Sequence, residues 1–218
     1  MTKMRLRNIK GADEVIEKSE FTFNEFKEHK GKWSEIFGNE NPIQIEIGMG
    51  KGKFITQLAL EHPEINYIGI ERYSSVLLRA IEKRNEIEIS NLIFIRMDAT
   101  EIEEAFEKDE VDKIYLNFSD PWPKDRHAKR RLTSRQFFER YDKILKQDGY
   151  IEFKTDNRDL FDFSLEEIKE TKFKVIDYTF DLHGDVEAPI YKGNITTEYE
   201  DKFVEKGNKI CKLIATRA

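Results

Sequence analysis

The chain has 218 residues, enough for one domain with a sizeable core; 37% are charged, against about 25% in an average soluble chain, and 39% are apolar, including 16 Phe and 8 Tyr. A net charge of −6 argues against a surface that binds nucleic acid all over, while a lone Cys211 excludes an internal disulfide and four scattered histidines (His29, His62, His127, His183) give no zinc-ligand spacing, so no metal is expected. No apolar run approaches the roughly 20 residues of a membrane-spanning helix, and no apolar leader follows the N-terminal basic residues, which predicts a cytoplasmic protein without membrane contact.

Residues 1–30 read as an N-terminal extension whose first ten positions carry Lys3, Arg5, Arg7 and Lys10 and no acid; residues 31–218 read as a single domain. Ile43-Gln-Ile-Glu-Ile47 alternates as a strand does and runs into Gly48, Gly50 and Gly52, a tight turn. A helix begins near Lys51, with Phe54, Ile55, Leu58 and Ala59 on one face, and stops at His62-Pro63. The pattern repeats: a strand at 67–71, a helix face of Val76, Leu77, Ala80 and Ile81, a strand at 92–95 and a fourth strand at 113–118. A helix carrying Phe137, Phe138, Tyr141, Ile144 and Leu145 precedes a fifth strand at 150–154, and Leu160, Phe161, Leu165 and Ile168 mark another helix. Residues 173–182 and 209–216 are strand-like, with no full-length helix between them, and pair as an antiparallel edge. The fold expected is α/β: a doubly wound, mostly parallel, seven-stranded sheet of Rossmann-like architecture.

In such a sheet ligands sit beyond the carboxyl ends of the strands, where glycines admit close backbone approach and a helix start offers unpaired N–H groups. Gly52 is followed by Lys53-Phe54, leaving no hydroxyl for a nucleotide-bound magnesium, and the spacing G-x-G-x-G departs from the dinucleotide pattern. Glu71 ends the second strand 23 residues after Gly48, suited to accept hydrogen bonds from ribose hydroxyls, and Asp98 after the third strand could accept from an adenine amino group. A nucleoside pocket without a phosphate site suits S-adenosylmethionine, whose sulfonium and amino group also favour a carboxylate such as Glu46. Asn117-Phe-Ser-Asp-Pro-Trp-Pro-Lys124 then leaves the fourth strand in a loop stiffened by two prolines. Asp120 stands at the sheet rim, Trp122 offers an aromatic face, and between Pro123 and Arg135 six basic residues face the single acid Asp125. A planar, polyanionic substrate fits these features. A noncatalytic RNA-binding module, a small-molecule methyltransferase and a nicotinamide enzyme are the rival readings.

With Glu46-Ile-Gly-Met-Gly-Lys-Gly52, Tyr67-Ile-Gly-Ile-Glu71, Asn117 to Leu132, Phe153-Lys-Thr-Asp-Asn157 and Thr197-Glu-Tyr-Glu200 in order, the chain resembles the bacterial tRNA (guanine-N7)-methyltransferases over residues 30–204. The resemblance implies transfer of a methyl group from S-adenosylmethionine to N7 of a guanine in the variable loop of tRNA. It further implies that Glu46, Glu71, Asp98 and Asp120 contact the cofactor and that Asp120 is catalytic. Lys124, Asp156, Thr197, Glu198, Tyr199 and Glu200 would contact substrate, and Arg126, His127, Ala128, Lys129, Arg130 and Arg131 would touch RNA. The spacing Thr197-x-x-Glu200 equally fits a helix capping box.

Overall fold

The alternating run at 43–47 becomes a strand and the run of helical period after Gly52 a helix in the computed structural model, which describes residues 9–218. The chain opens with helix α1 (Ala12–Lys18), a two-residue strand β1 (Thr22–Phe23) and helix α2 (Trp33–Phe37). It then alternates through β2 (Ile43–Ile47), α3 (Lys53–Glu61), β3 (Asn66–Ile70), α4 (Ser74–Asn85), β4 (Leu92–Ile95), the single turn α5 (Ile102–Ala105) and β5 (Val111–Asn117). Helix α6 (Arg135–Ile144), β6 (Leu145–Thr155), α7 (Arg158–Lys169), β7 (Phe173–Thr179), α8 (Glu198–Val204) and β8 (Cys211–Arg217) complete it.

The strands form one sheet in the order β1-β4-β3-β2-β5-β6-β8-β7. The first six are parallel; β8 runs antiparallel between β6 and β7. The antiparallel edge pair is as expected, but the sheet has eight strands, not seven. The addition is β1, whose two residues pair with Phe94 and Ile95 and are too few to show alternation. Ile16 and Phe26 are buried in the body of the protein, so the extension expected over residues 1–30 is packed on the domain from Ala12 onward. Lys3, Arg5 and Arg7 lie outside the described residues.

Alternation along the parallel strands sends side chains to both faces, and both are covered. One face carries Ile45, Ile68, Ile114, Leu116, Ile151 and Phe153 against Phe137, Phe138 and Tyr141 of α6 and Phe161 of α7. The other carries Tyr67, Phe94 and Tyr115 against Phe54, Ile55 and Leu58 of α3 and Leu77 and Ile81 of α4. Strand β2 lies between β3 and β5, so the direction of winding reverses there, the place where a crevice opens beyond the strand ends.

Candidate active site

The glycine turn after β2 is left-handed at Gly48, Gly50 and Gly52, with φ of 76°, 60° and 75°, a region side chains avoid. This conformation lets the N–H groups of Gly48 and Met49 both donate to the Ile70 carbonyl, at 2.9 and 3.1 Å, which stitches the turn to the end of β3. A β-carbon added at Gly48 or Gly50 would meet nothing within 4 Å, so the turn presents bare backbone to open space. Glu71 completes the stitch: its Oε2 accepts from Gly50 N at 3.2 Å and its Oε1 from Tyr73 N at 2.9 Å. Burial raises the Glu71 pKa above the usual carboxylate value despite these N–H donors.

Asp98 follows β4. Its Oδ1 accepts from the Thr100 N–H at 3.0 Å and hydroxyl at 2.7 Å, and Arg72 Nη1 lies 3.0 Å from Oδ2. Partial burial opposes ionisation, but these donors prevail and hold the Asp98 carboxyl below its ordinary value. Glu46, on β2, is buried. Asn117 Nδ2 donates to its Oε1 at 2.9 Å, while Glu46 Oε2, Asn117 Oδ1 and Ser119 Oγ are buried without a hydrogen-bond partner. Desolvation dominates over the Asn117 bond and the charge of Lys154, and pushes Glu46 up to about 7.

Two cavities meet along Gly48 and Phe118. The larger, about 610 Å³, is lined by Glu71, Asp98, Asp120, Trp122, Lys129 and Arg130 among others. The smaller, about 330 Å³, is lined by Glu46, Gly50, Asn117, Thr197, Glu198 and Tyr199. Asp120 is exposed at the rim and not turned into the interior, on the same cavity as the glycine turn. The loop that carries it is left-handed at two residues that are not glycine, Phe118 (φ 51°) and Trp122 (φ 42°). Such conformations cost about 1–3 kcal/mol each and persist only where the surroundings over-determine them. Here Phe118 N donates to the Lys154 carbonyl at 2.9 Å, and the Trp122 ring meets His127 edge-on at 5.6 Å and the Arg130 guanidinium at 5.1 Å.

Seven of the expected site residues do not line either cavity. Lys124 and Arg126 are exposed, on and beside a 3-10 turn, and Ala128 is half-buried with only backbone to offer. His127 packs on Trp122, and Arg131 is bonded to the loop. Asp156 sits half-buried beyond β6, its pKa raised by burial. Glu200 is fully buried: Lys154 Nζ donates to its Oε2 at 2.7 Å, Asn194 Nδ2 to its Oε1 at 3.1 Å, and His183 Nε2 lies 2.9 Å from Oε1. The capping reading holds for Thr197, whose Oγ1 accepts from Glu200 N at 2.9 Å, but the Glu200 side chain goes to Lys154 instead of back to the turn. Asn117, Lys154, His183 and Asn194 had no assigned role in the sequence. A lysine at the inward end of an apolar strand was the available signal for Lys154.

Helix α8 is held over the smaller cavity from outside as well. Lys83 and Lys51 reach Glu198 at 2.8 and 3.3 Å, and Lys53 reaches Asp201 at 2.5 Å. Tyr199 stacks on Phe203 and leans on Phe118, with ring centres 4.4 and 5.3 Å apart. Among the described residues no group of three or more His, Cys, Asp or Glu could hold a metal ion, and no helix is long and apolar enough to cross a membrane.

Residues 40–213 match a family described as "Putative methyltransferase". A tRNA (guanine-N(7)-)-methyltransferase of Lachnoclostridium phytofermentans is 60% identical over 98% of this chain and 99% of its own length. One of Bacillus cytotoxicus is 46% identical over 97% of this chain and 96% of its own. Among solved structures, an antibiotic-related methyltransferase superposes with a TM-score of 0.62 at 21% identity over 86% of this chain and 94% of that one. The 16S rRNA methyltransferase KamB gives 0.62 at 11% identity, covering 86% and 93%, and these two likenesses establish the fold.

Proposed function

We propose that this chain, which belongs to the tRNA (guanine-N(7)-)-methyltransferase family, transfers a methyl group from S-adenosylmethionine to N7 of a guanine in tRNA, forming 7-methylguanosine. The observation that carries the reading is the joint lining of one cavity by Gly48, Glu71, Asp98 and Asp120, beside a second that shares Gly48 and is lined by Glu46. S-adenosylmethionine supplies an electrophilic methyl group carried on a sulfonium. The residues present fit it. Glu71 and Asp98 offer acceptors for a nucleoside, the bare backbone of Gly48 and Gly50 admits close approach, and the orphaned Glu46 Oε2 and Asn117 Oδ1 await an ammonium donor.

Guanine N7 carries an in-plane lone pair and no proton, so the reaction needs alignment and no general base. The purine gains positive charge as the bond to carbon forms. Asp120 at the rim would hold the base by accepting from its N1–H or amino group and would stabilise that charge. Thr197, Glu198 and Tyr199 on the wall of the smaller cavity would complete the guanine site, with Tyr199 offering a ring to the base. Lys124, Arg126, Lys129 and Arg130, exposed beside that rim, would contact the RNA backbone, and shape more than sequence would select the tRNA. Glu200 and Arg131 are engaged within the protein and Asp156 stands off both cavities, so direct contact falls to the other residues. A tRNA substrate is consistent with the cytoplasmic location expected from the sequence.

The test is to incubate the protein with methyl-labelled S-adenosylmethionine and unmodified total tRNA and to digest the product to nucleosides. Label in 7-methylguanosine supports the reading; label in another nucleoside, or none, overturns it.

A further inference from the structure

The six basic residues from Lys124 to Arg135 do not share one role, because the guanidinium of Arg131 is turned inward. Arg131 Nε donates to the Pro121 carbonyl at 2.9 Å and Nη2 to the Trp122 carbonyl at 3.1 Å. Its guanidinium carbon lies 4.2 Å from the centre of the Phe163 ring, on α7, which seats the fork from behind. Arg126, by contrast, is exposed, and its Nε donates to the neighbouring His127. Arg135 is bound through three nitrogens to Glu167.

The two carbonyls that Arg131 holds belong to the residues immediately after Asp120. A planar fork on adjacent carbonyls sets both the position and the direction of the turn, which a lysine ammonium, a single point of charge, does not. The turn has need of such a clamp, since the left-handed Phe118 and Trp122 flank Asp120 on either side. Upstream, the Phe118 N–H is tied to β6 through the Lys154 carbonyl; downstream, Arg131 ties the loop to α7 through Phe163.

We propose that Arg131 is a positioning residue, which holds the Asp120 loop at the cavity rim for methyl transfer and makes no contact with the RNA backbone. This deepens the proposed function and rests on it.

The experiment compares Arg131→Ala and Arg131→Lys with Arg126→Ala in the full chain, using S-adenosylmethionine and an unmodified tRNA transcript. Both Arg131 variants are expected to lower kcat by roughly 10- to 100-fold, the scale of a small misplacement of a reacting group. They are expected to leave the KM for tRNA, and the slope of tRNA affinity against salt, as in the parent. Arg126→Ala is expected to do the reverse, raising KM and reducing that slope by about one. A second readout follows the loop itself. Trp33 is fully buried and Trp122 is not, so quenching of fluorescence by acrylamide reports on Trp122, and it should rise in both Arg131 variants. Arg131→Lys retains the charge, so the lysine variant keeps the test decisive if the alanine variant fails to fold. An Arg131 variant with unchanged kcat and quenching, or with a raised KM and a shallower salt slope, would overturn the assignment. A parent enzyme that does not methylate tRNA would instead overturn the proposed function, while the quenching still decides whether Arg131 holds the loop.

Discussion

Lys154 on β6 and Glu200 on α8 form an ion pair at 2.7 Å in which neither side chain is exposed to solvent. The lysine also donates to Asn194 Oδ1 and to the Ile195 carbonyl, and Glu200 receives Asn194, so each charge is satisfied from several sides. The pair anchors the short helix that walls the smaller cavity to the middle of the sheet.

Removing one partner from a buried pair leaves the other charge stranded, which typically costs about 3–5 kcal/mol, whereas replacing both by apolar groups is close to neutral. Lys154→Met and Glu200→Leu are therefore each expected to lower the unfolding free energy measured by urea titration by an amount of that order, and the double variant to recover most of the loss. Single variants no worse than a surface charge deletion, under about 1 kcal/mol, would show that the pair does not anchor α8.

Glu46 gives two pH dependences of opposite sign. Its pKa is raised on folding from about 4.5 to about 7, so the native state holds a proton that the unfolded chain has lost in this window. The stability contributed by this group is full below about 4.5 and is lost as pH rises through about 7, a change on the order of 3 kcal/mol. Binding of a cationic ligand needs the carboxylate, so S-adenosylmethionine affinity should rise with pH across the same window, with proton release below about 7. Titration calorimetry in buffers of different ionisation enthalpy measures that proton. Glu46→Gln should flatten both slopes; an unchanged slope of affinity would remove Glu46 from the cofactor site.

Asp120→Asn keeps the size of the side chain and removes its charge. Turnover is expected to fall by roughly 100- to 1000-fold, the range found when one preorganised electrostatic contact to a transition state is lost. Full turnover with intact cofactor binding would show that the carboxylate neither orients guanine nor stabilises its charge.

Arg126, Lys129 and Arg130 are exposed beside the rim, and each phosphate contact contributes about 0.7–0.9 to the slope of log affinity against log salt. Replacing all three by Ala should weaken tRNA binding and make that slope shallower by about two to three. Filter binding across a salt series measures it, and an unchanged slope would move the RNA surface elsewhere.

Local pattern determined a good deal of this protein. Alternation in 43–47 and three glycines in five positions marked β2 and its turn, and acids at the strand ends marked Glu71 and Asp98, because strand period, turn chemistry and carboxyl-edge placement are properties of short segments. Asp120 was legible for the same reason: two prolines and a tryptophan stiffen its loop just beyond a strand.

What only the tertiary structure decided was the destination of long polar side chains. Arg131 stands in an unbroken basic run with Lys129 and Arg130, yet its fork closes on Pro121 and Trp122. Glu200 sits one residue from Tyr199 on the cavity wall, yet one step around a helix turns it inward to Lys154, which is 46 positions away in sequence. The two-residue β1 strand likewise exists because β4 offers an open edge. Charge and spacing are written along the chain, but the partner that satisfies a buried charge is chosen by packing between segments far apart in it.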